Sequence, residues 1–210
     1  MVALLALLFL RMPIGIAMAL VGAVGFAALN SVDAALHMLG SYPYSYGAVQ
    51  ALSVIPLFVL MGNFAVVSGM SGDLFAAAYA WMGHRRGGLA SATVLACAGF
   101  AALSGSSVAS AITMGHVTLP EMRRYNYDPR LATGVVAAGG TLGILIPPST
   151  VLVIYGILTE QSIGKLFLAG FLPGLLLTAL FMITVAMVCA VRPEFGPPRE
   201  RASMQERWAA

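Results

Sequence analysis

Two short motifs inside otherwise apolar sequence decide the fold: Leu103-Ser104-Gly105-Ser106-Ser107, and Gly139-Gly140-Thr141-Leu142-Gly143-Ile144-Leu145-Ile146-Pro147-Pro148-Ser149. Both motifs place glycine, hydroxyl or proline residues within runs of aliphatic residues. In a lipid bilayer every backbone amide and carbonyl must be bonded, so a helix breaks only where protein or a water-filled cavity receives its ends. The motifs therefore predict a site built from unwound backbone.

The composition is that of an integral membrane protein. The 210 residues are 60% hydrophobic and 9% charged, with a mean hydropathy of +0.90, whereas roughly a quarter of the residues of a soluble domain are charged. The apolar runs lack the strict alternation of a membrane β-barrel, so the predicted fold class is all-α. The net charge of +3 is small and forms no clustered basic face, which argues against nucleic-acid binding.

No pattern of catalytic or metal-ligating residues is present. The histidines are far apart, and no cysteine or carboxylate lies near them at ligand spacing. Cys97 and Cys189 lie in apolar runs, which predicts buried free thiols rather than a disulfide. No nucleophile and base occur together, so an enzyme is the least favoured class.

The remaining apolar sequence divides into helix-length segments. Residues 1–191 are predicted to form one membrane domain, and residues 192–210 a cytoplasmic linker that begins an amphipathic helix at Arg201. Residues 2–10 are too short to span a bilayer, which needs about 20 residues; a cleavable signal peptide is the alternative for this end. The further predicted segments are a helix Ile14–Leu29 with Pro13 in its first turn, an interfacial segment Asn30–Gln50, a span Ala51–Ser68 interrupted at Pro56, an amphipathic helix Ser71–Arg86 and a span Leu166–Val191.

Loop charges predict a re-entrant hairpin over about residues 88–121. The apolar arms Leu89–Leu103 and Val108–Pro120 meet at the Ser104–Ser107 motif, and arginine-rich loops flank both arms. Arginines collect on the cytoplasmic side, so a single crossing would leave one loop on the wrong side. Arms of about fifteen residues reach only about 22 Å, short of the roughly 30 Å hydrocarbon core. A hairpin that enters from the cytoplasm and turns within the membrane satisfies both conditions.

The second motif predicts a broken helix over about residues 131–158. We expect one break at Gly139–Gly143 and another at Pro147-Pro148, where a helix restarts with proline in its first turn and Ser149 near its end. Helix ends inside a membrane offer carbonyls to a cation and amides to an anion. An oxygen-only site without a carboxylate suits Na⁺. Small residues also mark close helix packing, which is the alternative for the Ser-Gly-Ser cluster alone, and a simple kink is the alternative at Pro147-Pro148-Ser149.

At these residues the sequence resembles the large permease subunit of tripartite ATP-independent periplasmic (TRAP) transporters. The resemblance covers nearly the whole chain in an ordered set of motifs: Ile55–Gly62, Gly87–Leu89, Ser104–Ser107, Pro120–Met122, Tyr127–Pro129, Gly140–Ser149, Tyr155–Gly156 and Leu166–Gly174. It implies an elevator-type, Na⁺-coupled importer of organic acids, of dicarboxylate or sialic-acid type, in the bacterial inner membrane. It also implies three partners: a periplasmic substrate-binding protein, a small four-helix membrane subunit and organic-acid substrate. No cofactor other than the coupling ion Na⁺ is implied.

Carried over to this sequence, the resemblance implies two sets of site residues. The Na⁺ ligands would be Ser104, Gly105, Ser106, Ser107, Gly139, Gly140 and Thr141. The substrate would lie beside Ser106, Ser107, Pro147, Pro148 and Ser149.

The chain departs from the family in length. The family's large subunit has a second half that repeats the first in inverted topology, and this sequence is expected to lack it. A proton-coupled transporter of similar fold and a membrane scaffold without an ion site are the alternative functions.

Overall fold

A computed structural model of the chain describes residues 2–47, 52 and 54–198. The described residues form α-helices joined by short turns and no strand. They divide into two compact units, residues 1–53 and 54–210, which are described separately. Parts of the predicted segments lie outside the described residues: Met1, the end of Asn30–Gln50, the start of Ala51–Ser68 and residues 199–210, with the amphipathic helix predicted from Arg201.

The first unit contains three helices: α1 (Val2–Phe9), α2 (Ile14–Leu29) and α3 (Val32–Gly47). The predicted bounds of α2 are confirmed, although Pro13 lies immediately before the helix rather than in its first turn. The segment predicted to be interfacial contains a helix with Pro43 inside it. Tyr42 and Tyr44 on this helix are exposed.

The second unit contains the two motifs. Its helices are α4 (Val54–Val67), α5 (Met70–Met82), α6 (Gly88–Ser104), α7 (Ser107–Arg124), α8 (Pro129–Leu145), α9 (Thr150–Leu158) and α10 (Ile163–Val191), followed by a short 3₁₀ helix, Pro193–Phe195. Pro56 does not interrupt the α4 segment as predicted, because it lies in the first turn of α4, where no helical donor is lost. Helix α5 ends at Met82, before the predicted Arg86.

Helix α6 forms the centre of this unit and packs against α4, α5, α7, α8 and α10. Most of its residues are buried, and alanines, a glycine and short polar residues predominate among them. Small side chains let neighbouring backbones approach closely, which is how helices pack inside a membrane. Cys97 on α6 and Cys189 on α10 are both buried free thiols, as predicted.

Among the described residues, two stretches are long and apolar enough to cross a membrane by length and composition: Pro129–Leu158, of 30 residues, and Ile163–Val191, of 29 residues. Helices α4 and α5 together meet the same criterion as a pair bent by 63°. The bend falls at Gly69, whose φ of +79° favours glycine. The described residues therefore have the composition of an all-α membrane protein.

The segment after α10 lies against the loops at the base of the α6–α7 pair. The amide of Gly87 donates to the Gly196 carbonyl at 2.9 Å, and the amide of Asp128 donates to the Phe195 carbonyl at 3.2 Å. The Tyr127 hydroxyl donates to the Pro197 carbonyl and accepts from the Leu89 amide, both at 3.2 Å. Burial raises the pKa of Tyr127 to about 12, so the phenol is protonated at neutral pH. We call this set of contacts the base strap.

Contacts along α10 locate the α6–α7 turn within the unit. A Cβ on Gly87, at the base strap, would lie 2.6 Å from the Cys189 sulfur, and a Cβ on Gly174 would lie 2.7 Å from Ile146 at the end of α8. Because α10 rises about 1.5 Å per residue, Cys189 at the base strap and Gly174 at the end of α8 are roughly 22 Å apart along the helix axis. Helix α10 continues to Ile163, about 16 Å beyond Gly174. The end of α8, against which the α6–α7 turn packs, therefore lies part-way along α10 rather than at its end.

Candidate functional site: a helix turn packed against a proline break

The turn between α6 and α7 is formed by Gly105 and Ser106. Gly105 ends α6 with a φ of +58°, and its amide donates to the Ala101 carbonyl. This left-handed conformation disfavours any residue with a Cβ. Ser106 is extended and caps α7, since its Oγ accepts from the Ala109 amide at 3.4 Å. The predicted meeting point of the two arms is confirmed.

A buried pair of hydroxyls lies behind the turn. Ser104 Oγ and Ser110 Oγ are 2.6 Å apart, and both residues are buried. Ser104 Oγ is also 3.5 Å from the Ser106 carbonyl oxygen. These contacts hold the first turn of α7 close to the last turn of α6. Ser110 belongs to this cluster, although sequence reasoning did not select it.

The second motif breaks at Ile146–Ser149, between α8 and α9. Pro147 and Pro148 have no amide hydrogen, so the carbonyls of Gly143 and Ile144 lose their usual helical donors four residues later. Ser149 compensates for one of them, because its Oγ donates to the Ile144 carbonyl at 2.7 Å. The same Oγ accepts from the Leu152 amide at 3.4 Å and caps α9. Helix α9 thus begins after both prolines, and neither lies in its first turn as predicted.

The turn and the break pack directly against each other. The Gly105 carbonyl accepts from Thr150 Oγ1 at 3.1 Å and from the Thr150 amide at 3.4 Å. A Cβ on Gly105 would lie 2.7 Å from the Pro148 carbonyl oxygen, and a Cβ on Gly143 would lie 2.7 Å from the Ser106 carbonyl oxygen. Since real Cβ atoms do not approach that closely, glycine is required at both positions.

Three further glycines surround this contact. A Cβ on Gly62 of α4 would lie 3.3 Å from the Ser104 Cα. A Cβ on Gly170 of α10 would lie 2.9 Å from the Leu145 carbonyl oxygen, and Gly174 packs on Ile146. Sequence reasoning missed this group, although the four-residue spacing of Gly170 and Gly174 is a signal of close helix packing.

The predicted break at Gly139–Gly143 is wrong. Helix α8 is continuous from Pro129 to Leu145, so the carbonyls of Gly139 and Gly140 lie inside a regular helix. The glycines serve packing instead. A Cβ on Gly139 would lie 2.8 Å from the Cys97 sulfur, and one on Gly140 would lie 2.7 Å from the Ala111 Cβ and 3.2 Å from the Ser107 carbonyl oxygen.

Thr141 is not brought to the turn. Its side chain is exposed, and its hydroxyl donates to the Ala138 carbonyl of its own helix at 2.6 Å. At about 100° per residue, Thr141 lies on the side of α8 opposite the buried Gly139 and Gly143. Of the predicted site residues, the structure therefore brings together Ser104–Ser107 and Pro147–Ser149, with Gly140 at the edge.

Four helix ends converge at this site. Helices α6 and α8 end there and α7 and α9 begin there, so their terminal carbonyls and amides lack intrahelical partners, and some of them, such as the Gly105 carbonyl and the Thr150 amide, bond to each other. The amides of Ser107 and Val108 have no hydrogen-bond acceptor among the described residues. No acidic side chain belongs to the turn or the break, and the described part of the chain contains no cluster of metal-ligating residues. The site thus offers neutral oxygens from carboxyl helix ends beside amide donors from amino helix ends.

Comparison with known proteins identifies the family. The family model described as "Tripartite ATP-independent periplasmic transporter, DctM component" matches residues 1–210. The chain belongs to this family.

Several large permeases named in the family are similar to the chain. The C4-dicarboxylate TRAP transporter large permease protein DctM of Pseudomonas aeruginosa is 46% identical over 159 residues, which are 76% of this chain and 36% of that protein. The sialic acid TRAP transporter large permease protein SiaM of Vibrio cholerae is 35% identical over 207 residues, 97% of this chain and 47% of that protein. The 2,3-diketo-L-gulonate TRAP transporter large permease protein YiaN of Escherichia coli is 38% identical over 75% of this chain and 37% of its own length. The chain thus spans less than half the length of these relatives.

Proposed function

We propose that the chain is the N-terminal region of the large membrane subunit of a Na⁺-coupled TRAP transporter that imports organic acids through the bacterial inner membrane. The observation that carries the proposal is the contact between the α6–α7 turn and the proline break of α8–α9. The proposal includes a periplasmic binding protein that delivers the substrate, a small four-helix membrane subunit, and a second permease half of inverted topology.

The chemistry of the contact favours a monovalent hard cation. The carboxyl ends of α6 and α8 carry partial negative charge. Because Pro147 supplies no amide hydrogen, the Gly143 carbonyl has no helical donor and is free to bind an ion. The hydroxyls of Ser104, Ser106 and Ser107 add neutral oxygens. Oxygen ligands without a carboxylate match Na⁺ better than a transition metal.

The amino ends of α7 and α9 suit the carboxylate of a substrate. The open amides of Ser107 and Val108 lie at the positive end of a helix dipole, which attracts anions. The relatives named for C4-dicarboxylates and for sialic acid transport compounds that carry carboxylates. We therefore place the substrate beside Ser106, Ser107 and the Pro147–Ser149 segment.

The position of the α6–α7 turn along the length of α10 supports a re-entrant hairpin. The turn contacts the end of α8, roughly 22 Å from the base strap along α10, whereas α10 extends about 16 Å further. The base of the hairpin carries Arg85, Arg86, Arg123 and Arg124 on exposed positions, and Arg192 lies at the same end. Arginines collect on the cytoplasmic side, so the hairpin enters from the cytoplasm and the turn lies within the membrane.

Substrate uptake by a reconstituted transporter tests this proposal. A full-length permease that contains this sequence, with its small subunit and binding protein, is placed in proteoliposomes, and uptake of a labelled dicarboxylate or sialic acid is measured. We expect uptake with an inward Na⁺ gradient and none when K⁺ replaces Na⁺. Uptake driven by a pH gradient without Na⁺ would overturn the ion assignment. Equal Na⁺-driven uptake by a Gly105→Ala variant would overturn the site.

A further inference from the structure

A groove of about 290 Å³ lies between α10 and the junction of α5 with α6. Apolar residues of α10, among them Met182, Ile183 and Ala186, form one wall. Arg85 and Arg86, next to Gly87 of the base strap, also line the groove, as does Ser91 of α6. The groove is thus basic at one end and apolar along its length.

The charge of the groove is not neutralised within the described residues. Arg85 and Arg86 are exposed and form no ion pair in the part of the chain that the structure describes, where Arg124 pairs with Glu121 at 3.8 Å. No acidic residue lines the groove. Ser91, which is only 7% exposed, also lines the groove. Two cations are therefore available to a ligand, beside a serine hydroxyl.

The membrane position of the groove selects the ligand. Helix α10 is apolar enough to cross a bilayer, and the arginines lie near its carboxyl end, where the membrane meets water. Basic pockets between membrane helices at this level bind anionic lipid headgroups, and the guanidinium group matches phosphate geometry.

We infer that this groove binds one anionic phospholipid of the leaflet on the base-strap side. Arg85 and Arg86 bind its phosphate, the Ser91 hydroxyl donates to an ester oxygen, and an acyl chain lies along Met182, Ile183 and Ala186. The inference requires only that the chain is inserted in a membrane, and it is independent of the proposed Na⁺ coupling. The lipid would join the base of the hairpin to α10.

Retention of lipid by the purified full chain tests the inference. The chain is equilibrated in detergent with equal amounts of phosphatidylglycerol and phosphatidylcholine, and bound lipid is counted by native mass spectrometry. The Arg85→Gln/Arg86→Gln variant should lose its preference for phosphatidylglycerol roughly 30-fold, because each of the two basic residues contributes about fivefold to anionic lipid binding. Ala186→Phe, which fills the groove without changing charge, should lose retention of both lipids.

The matched control is Arg123→Gln/Arg124→Gln, which removes two adjacent exposed arginines outside the groove, at the end of α7. It should retain phosphatidylglycerol as the unchanged chain does. An equal loss in this control would show diffuse attraction instead of a site. Unchanged retention in Ala186→Phe would contradict the groove, as would displacement of the lipid when the small subunit or the rest of the permease is co-expressed.

Discussion

Replacing Gly143 by alanine tests the contact between the hairpin turn and the break. The new Cβ would lie 2.7 Å from the Ser106 carbonyl oxygen and 3.0 Å from the Ser107 nitrogen. Both are backbone atoms of a capped helix start, which cannot rotate away. Overpacking of this kind costs about 1–3 kcal/mol, whereas alanine gains about 1 kcal/mol of helix propensity over glycine.

Gly134→Ala is the matched control for this substitution. Gly134 lies on the same helix, α8, and nothing is within 4 Å of its would-be Cβ. Both variants gain the same helix propensity, so their difference isolates the contact with the turn. Gly143→Ala should be less stable than Gly134→Ala by about 1–3 kcal/mol, which corresponds to an apparent melting temperature lower by roughly 2–12 °C for a chain of this size.

The assay is thermal unfolding of both variants in detergent, with NaCl and with KCl. A ligand that binds only the folded state raises the melting temperature, so Na⁺ should stabilise the unchanged chain and Gly134→Ala, and should stabilise Gly143→Ala much less. Equal melting temperatures for the two variants would refute the packing argument. An unchanged Na⁺ effect in Gly143→Ala would refute the link between packing and ion binding.

Two further predictions concern other contacts of the same unit. Ser149→Ala removes the cap of α9 and leaves the Ile144 carbonyl without its donor, so the melting temperature should fall by an amount equivalent to about 1–3 kcal/mol. The control Thr133→Ala, at an exposed position, should change the melting temperature little. Equal effects of the two substitutions would contradict the role of Ser149. Tyr127→Phe removes the hydroxyl that donates to the Pro197 carbonyl, so backbone hydrogen exchange at residues 192–196 should become faster. Unchanged exchange would show that the base strap does not depend on this hydroxyl.

Much of the local structure could be predicted from the sequence. The bounds of α2 and the meeting of α6 and α7 follow from apolar runs that end at proline, glycine or serine. Such signals are local, and they determine where a helix begins and ends. The cap at Ser149 is equally local, because a serine before an apolar run is a preferred helix start.

The role of the α8 glycines could not be predicted by the same means. Glycine inside an apolar run permits either a break or a close helix contact, and only the packing of α6 and α7 against Gly139 and Gly143 decides between them. One signal was present: the four-residue spacing of these glycines is typical of packed helices. The same helical period places Thr141 on the opposite side, so its position followed from the sequence once α8 was known to be continuous.

Equilibrium binding of radioactive Na⁺ to the purified full chain tests the proposed site most directly. We expect saturable binding that K⁺ does not displace. Ser106→Ala, which removes a hydroxyl at the turn, should weaken binding about tenfold or more, as expected for the loss of one ion-bound oxygen. Thr141→Ala removes a hydroxyl from the opposite side of α8 and should leave binding unchanged. Absence of saturable binding, or equal weakening by both variants, would contradict a Na⁺ site at the α6–α7 turn.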